Sequence, residues 1–266
     1  MVSVVRYHEI SESSHRIMNP FSAEKLLLLG SICRAGKGTR ILDLACGKGE
    51  MLCLFAKEYM VSGVGIDLHE PFLTAARERA SELKVERAVT FIQGDAGDPP
   101  DLGQPFDVVS CIGATWIAGG LSGTIALMRR LVVAGGWLLV GEVYWSAPPP
   151  VRLRHKHEAG QGFVDLPGTL DRFEEAGVDL VEMVLASSDD WDRYEASQWL
   201  NVSDWLAANH DDAEAPEVLE ERNISRRDYL ADERGCMGWG VFVLRERDEG
   251  LAPKGQMSHI ALSDGQ

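Results

Sequence analysis

Apolar runs of strand length alternate with amphipathic helical segments from residue 38 to residue 145, and that order allows few folds. RILDLA, VGIDL, AVTFIQGDA, FDVVSCIGA and WLLVGEVYW read as strands with little polar interruption. GEMLCLFAKEYM, PFLTAARERASELK and SGTIALMRRLVVA read as helices between them, the last closed by Gly135 and Gly136. Strands with continuous apolar character are buried on both faces, so the pattern predicts a parallel sheet covered by helices on each side. Upstream, Asn19-Pro20 predicts a helix start with Asn as N-cap, the helix running through PFSAEKLLLLGSICRA to Gly36. Residues 1–18 are polar and carry no clear pattern. Downstream, Ala147-Pro148-Pro149-Pro150 punctuates the chain. GTLDRFEEAG then reads as a helix, and VDLVEMVLAS and MGWGVFVLRER as two more strands separated by a helical stretch rich in Trp, Tyr and acids. The expected organisation is a helical cap over 1–36, a sheet domain over 37–246 with a helical insert at 190–232, and a flexible tail over 247–266.

At 266 residues the chain suits one α/β domain with an elaboration. No apolar run reaches the length of a membrane span, and the first residues lack the basic-then-apolar order of a secretory signal. Five cysteines without a repeating spacing predict reduced thiols and a cytoplasmic protein. A formal net charge of −15 repels nucleic acid and anionic membranes, so neither is expected as a partner. His155-Lys156-His157 reads as an exposed loop without further ligands nearby, and no metal is expected.

In an open α/β sheet, ligands bind at the carboxyl ends of the strands. Here those ends carry acids. The first strand gives Asp43 and then a turn with Ala45, Gly47 and Gly49. The second gives Asp67-Leu68, the third Asp95-Ala96, the fourth Cys111-Ile112, and the fifth Glu142, Tyr144 and Trp145. Three acids along one crevice repel a pyrophosphate. They suit a ligand with positive charge, ribose hydroxyls and an adenine amine. A carboxylate accepts both ribose hydroxyls, the role expected of Asp67; Asp95 suits an exocyclic amine, and Asp43 draws an ammonium group. Competing motifs fail on spacing. Gly47-Lys48-Gly49 lacks the phosphate-loop pattern, Leu52 stands where a dinucleotide fingerprint needs its third glycine, and Asp98-Pro99-Pro100-Asp101 reads as a turn. Lys48 is then expected on the surface of its turn, and Cys46 in packing.

Asp43, Ala45, Gly47 and Gly49, with Asp67 and Asp95 at the next strand ends, resemble the class I S-adenosylmethionine (SAM)-dependent methyltransferases. The resemblance covers roughly residues 38–145, and the last two strands match the family's reversed final strand. It implies an α/β fold: a Rossmann-like, doubly wound, mostly parallel sheet of seven strands, the last antiparallel, with helical cap elements. It implies SAM as cofactor, S-adenosylhomocysteine as product, and methyl transfer to a small-molecule acceptor by in-line displacement. It also places Asp67 on the ribose, Asp95 with Ala96 on the adenine, and the turn from Ala45 to Gly49 under the methionine end. Leu68, Cys111 and Ile112 complete the expected cofactor set. Ala45 departs from the Gly of many members, a change that is tolerable if its φ stays negative. The flanks HRIMNPF, GATWIAGG, GEVYW, WDRYEASQWL and CMGWGVF are similar to the bacterial YjhP-like methyltransferases, whose acceptor is not settled.

Displacement at a sulfonium carbon depends on alignment and exclusion of water, with a protein base only for some nucleophiles. Trp116 and Trp145, with Trp191 and Tyr194 of the insert, are expected to wall the acceptor by stacking or cation–π attraction. Tyr7, His8, His15, Arg16 and Asn19 are expected to cover it. Tyr144, Glu142 and His15 are the candidates for positioning or deprotonating it. Two alternatives keep the cofactor: cyclisation or transfer of its aminopropyl-derived chain, and SAM binding without catalysis. Exposed aromatics of the insert leave a homodimer open.

Overall fold

The computed structural model describes residues 2–156 and 162–247. The polar N-terminal stretch begins with α1 (Val4–Ser11), capped by the Ser3 side chain, and continues into α2 (Ala23–Ile32). Asn19 does not cap α2. The Ser22 hydroxyl does so by accepting the Lys25 N–H, and Asn19 serves the cleft described below. The sheet then builds in order: β1 (Arg40–Leu44), α3 (Glu50–Tyr59), β2 (Ser62–Asp67), α4 (Glu70–Leu83), β3 (Val89–Gln93), β4 (Phe106–Ile112), α5 (Leu121–Leu131) and β5 (Val132–Trp145). After α6 (Val151–Lys156) and α7 (Leu166–Glu175) come β6 (Val178–Leu185), α8 (Ser188–Ala208), α9 (Ala215–Ala231) and β7 (Met237–Glu246).

The seven strands lie in the order β3-β2-β1-β4-β5-β7-β6. β1 to β5 pair in parallel, and β7 runs antiparallel between β5 and β6. The chain therefore reverses its direction of travel across the sheet between β1 and β4, which opens a crevice at their carboxyl ends. One apolar layer packs α2, α3 and α4 on one face through Leu29, Leu52, Phe55 and Leu73; the other packs α5 and α7 through Ile125, Met128 and Phe173. A third, small cluster of Ile10, Val202 and Val218 joins α1 to α8 and α9. Three buried aliphatic side chains contribute only about 1.5–3 kcal/mol each, so the cap depends on polar contacts as well.

Two boundaries differ from the sequence pattern. Val132 to Gly136 belong to β5, not to the preceding helix. β-Branched Val132 and Val133 extend the strand, and the register then jumps from Phe106↔Val132 to Val108↔Trp137, with Gly135 at φ 73° in the resulting bulge. His155 lies in α6 instead of a loop, while His157 falls outside the described residues. Of the expected tail only Arg247 is described, and it pairs with Glu174 at 3.1 Å. Among the described residues, no helix is long and apolar enough to cross a membrane.

Candidate active site

Asp43 and Ser110 are register partners on β1 and β4, at the crevice. Asp43 is 5 % exposed. The Ser110 hydroxyl donates to its Oδ1 at 2.7 Å. Burial pushes the Asp43 carboxyl up to about 7; the Ser110 hydrogen bond opposes that rise and the nearby Asp67 charge adds to it. Asp67, at the end of β2, accepts the Gly47 N–H at 2.8 Å on one oxygen and the His69 N–H at 2.9 Å on the other. A carboxylate offers about four lone-pair positions, so acceptor capacity remains for a ligand hydroxyl.

The turn between Asp43 and α3 takes its shape from three left-handed residues at alternate positions: Ala45 (φ 57°), Gly47 (φ 52°) and Gly49 (φ 66°). The condition under which Ala45 is tolerated, a negative φ, is therefore not met. Its methyl group is held in a conformation that costs an L-residue roughly 1–2 kcal/mol. Gly49 is obligatory for a second reason, since a Cβ there would lie 2.5 Å from the Phe91 ring.

A cavity of about 220 Å³ lies above this turn. Asp43, Ala45, Gly47 and Asp67 form its floor with Ile112, Gly113 and Ala114 from the end of β4; Ile17, Met18 and Asn19 close it from above, and Phe72 and Trp116 stand at its sides. The Met18 methyl rests directly on Gly47, where a Cβ would come within 2.2 Å. The Asn19 side-chain oxygen reaches the end of β4, within 2.4 Å of a Cβ on Gly113.

The cations lining this cavity are engaged elsewhere. Lys48 is not a surface residue of its turn. Its ammonium donates to the carbonyls of Glu12 at 2.7 Å, Ser13 at 3.2 Å and His15 at 2.9 Å, and burial lowers its pKa. Arg16 is bound to Glu82, and Arg79 joins Glu82 to Glu50 through a bidentate pair at 2.8 Å. His8 has its pKa lowered chiefly by burial, which favours the neutral ring. Among the described residues, Asp43 and Asp67 thus face the cavity without a cationic partner.

A family model described as a methyltransferase domain matches residues 35–199. The chain belongs to the methyltransferase-domain family. Over 249 residues it is 44 % identical to the uncharacterized protein YjhP of Escherichia coli (strain K12), a match that covers 92 % of this chain and 100 % of that protein. Crystal structures of SAM-dependent methyltransferases from Thiobacillus denitrificans and Geobacter sulfurreducens, each in complex with S-adenosylhomocysteine, share its fold with a TM-score of 0.86. They are 43 % and 45 % identical, over 92 % and 93 % of this chain and 100 % of theirs.

Within this methyltransferase the sequence-predicted residues fall into three groups. Asp43, Ala45, Gly47, Asp67, Ile112 and Trp116 come together around the cavity. Gly49, Ala96 and Cys111 are buried and do not line it, and burial raises the Cys111 thiol pKa. Asp95 and Leu68 are exposed at the neighbouring strand ends, Asp95 accepting the Gly97 N–H at 2.8 Å. Cys46 packs against Gly65, and burial raises its pKa well above the usual thiol value.

The acceptor and base candidates are more scattered. Tyr144 and Glu142 share the face of β5 that turns toward α5 and α7, opposite the face of β1 and β4 that carries Asp43 and Ser110. Tyr144 packs beside Phe242 and over Gly238. Glu142 holds the Thr115 hydroxyl at 2.5 Å and so fixes the loop that carries Trp116. Burial raises its pKa despite that bond. Trp145 stands edge-on to Phe163, beside Pro148 and Pro149. Trp191 packs on the α2–α4 layer with Tyr194 and Tyr229.

His15 and Tyr194 belong to a polar knot around Glu12, which is 1 % exposed. The Glu12 carboxylate accepts from the Tyr194 hydroxyl at 2.6 Å and Gln198 Nε2 at 3.0 Å, and lies 2.5 Å from His15 Nδ1. His15 Nε2 meets the Ser197 hydroxyl at 2.5 Å, and its ring stacks on Tyr194. Asn201 Nδ2 donates to the Ser11 carbonyl at 2.7 Å. Tyr7 sits in the cap cluster, not over the cavity. Sequence reasoning missed Met18 and the structural use of Lys48. Neither carries a local signal, because both act through backbone contacts far apart in the chain.

Proposed function

We propose that the protein is a cytoplasmic enzyme that transfers a methyl group from SAM to a small-molecule acceptor. The observation that carries this reading is the pair of cleft carboxyl groups, Asp43 and Asp67, left without a cation among the described residues while Lys48 and Arg16 are occupied by the cap and by Glu82. Such a cleft disfavours phosphate and favours a ligand with an ammonium or sulfonium centre. Asp67 would hold the ribose hydroxyls, Asp95 with Ala96 the adenine, and Asp43 with the left-handed turn the methionine end. The bound cofactor supplies an electrophilic methyl group.

The chain contributes alignment and exclusion of water. Ile112, Gly113 and Ala114 set the floor at the reacting end. The segment 16–19, held down by Lys48, forms a roof. Trp116 offers a flat apolar face to the acceptor. Glu142 fixes the Thr115 loop and Tyr144 packs on Phe242, both on the far face of the sheet, which supports a structural role for them over direct proton removal. The fold relatives crystallised with S-adenosylhomocysteine support the cofactor assignment.

Incubation with SAM and an extract of small metabolites, followed by mass analysis of the sulfur product, tests the reaction. S-Adenosylhomocysteine is the expected product. Methylthioadenosine would mean that the aminopropyl-derived chain had moved, and would refute methyl transfer.

A further inference from the structure

We propose that the methyl acceptor is a small organic anion, held through Arg193 in a second cavity that adjoins the cofactor cleft at Asn19. The proposal rests on the methyl-transfer reading and adds the class of acceptor. The second cavity lies between the N-terminal segment and the first turns of α8 and has a volume of about 310 Å³. That is the lower end of the roughly 300–1,000 Å³ of small-molecule sites. Ile17 and Asn19 line both cavities, so only this short stretch of chain separates them. Asn19 also reaches Gly113 at the end of β4, the floor of the reacting end. An acceptor seated in the second cavity is therefore divided from the cofactor cleft by the segment from Ile17 to Asn19.

The charges around this cavity select its ligand. Asp190 is neutralised by Lys25 Nζ at 2.5 Å and accepts the Ser187 N–H at 2.7 Å. His15 is held between Glu12 and Ser197. Arg193 lines the same wall and forms no ion pair among the described residues. In a chain of net charge −15, this guanidinium is a cation at the cavity wall that is not held by an acid among the described residues. Its planar fork matches a carboxylate in two parallel hydrogen bonds. A cationic acceptor would be repelled by that group, and a neutral one would gain no charge-assisted bond from it.

The test uses the full chain loaded with S-adenosylhomocysteine, titrated by calorimetry with matched probes: benzoate against benzamide, and hexanoate against hexanamide. Each carboxylate is expected to bind at least about tenfold more tightly than its amide, a margin of about 1.4 kcal/mol. Arg193→Gln should abolish the preference, and Arg193→Lys should keep part of it. Because Arg193 is exposed, neither variant should change the affinity for S-adenosylhomocysteine. The absence of any carboxylate preference in the wild type, or a preference that survives in Arg193→Gln, overturns the proposal. Failure of the wild type to bind S-adenosylhomocysteine in the loading titration overturns the methyl-transfer reading itself, and so is told apart from failure of the acceptor assignment.

Discussion

At the scale of single residues, Asp43 and Ala45 carry the most chemistry per atom. The Asp43 carboxyl titrates near 7 in the folded chain, against about 3.9 for an unperturbed Asp. The folded state therefore holds a proton that the unfolded state has lost over that window. Stability from this group is full below about 4 and declines as pH rises to about 7. Asp43→Asn should remove the decline, seen as a flatter melting temperature between pH 5 and pH 8. A cationic ligand selects the ionised form, so cofactor affinity in the wild type should rise with pH up to about 7, with proton uptake by buffer on binding at pH 6. Calorimetry in two buffers of different ionisation enthalpy measures this; binding without proton release would refute the Asp43 assignment. Ala45→Gly relieves the strain at φ 57°. After the entropy cost of glycine, a net gain of about 0.5–1 kcal/mol is expected in urea denaturation. A loss of stability would show that the methyl group makes contacts worth more than the strain.

At the scale of elements, Lys48 ties the cap to the glycine turn, beside the Met18 contact on Gly47. Lys48 leaves the turn, crosses to the carbonyls of residues 12, 13 and 15, and so fixes the segment whose Met18 and Asn19 roof the cleft. Lys48→Met forfeits charge-assisted hydrogen bonds of about 2 kcal/mol. Amide exchange over residues 10–22 should accelerate by roughly the corresponding thirtyfold, with β1 to β5 unaffected. Unchanged protection in the cap would mean that the Glu12 knot holds it without Lys48. The roof also limits the cavity to about 220 Å³, below the usual range for nucleoside-sized ligands. Release of the roof in Lys48→Met should therefore speed both association and dissociation of S-adenosylhomocysteine, as read by stopped-flow tryptophan fluorescence, with Trp116→Phe identifying the share of the signal that comes from the cleft. Rates equal to those of the wild type would show that the roof does not gate the cleft.

At the scale of the whole molecule, the sheet was legible because burial on both faces leaves a strand little choice but apolar residues, and because acids at successive strand ends mark one crevice. The acids and the glycine turn carried the family resemblance, the reversed β7 was implied by that resemblance, and the family match and the sheet agree with both. The helix boundaries at Ser22 and Leu131 were not legible: a second candidate cap lay three residues after Asn19, and a valine pair suits a strand as well as a helix end. The acceptor side was least legible. Aromatic residues near strand ends look alike in sequence, yet Trp116 lines the cleft while Trp145 and Trp191 pack elsewhere. Which way each points depends on strand phase: Tyr144 is one residue out of phase with the cleft face, and nothing local to it reports that.

Asp67 holds the Gly47 N–H of the first turn and is the carboxylate proposed to bind the ribose. Calorimetric titration of the full chain with S-adenosylhomocysteine, for wild type and Asp67→Ala, tests it most directly. Loss of two hydrogen bonds to a charged acceptor predicts one site per chain in the wild type and an affinity at least about a hundredfold weaker in the variant. No heat of binding in the wild type, or equal affinity in Asp67→Ala, would contradict it.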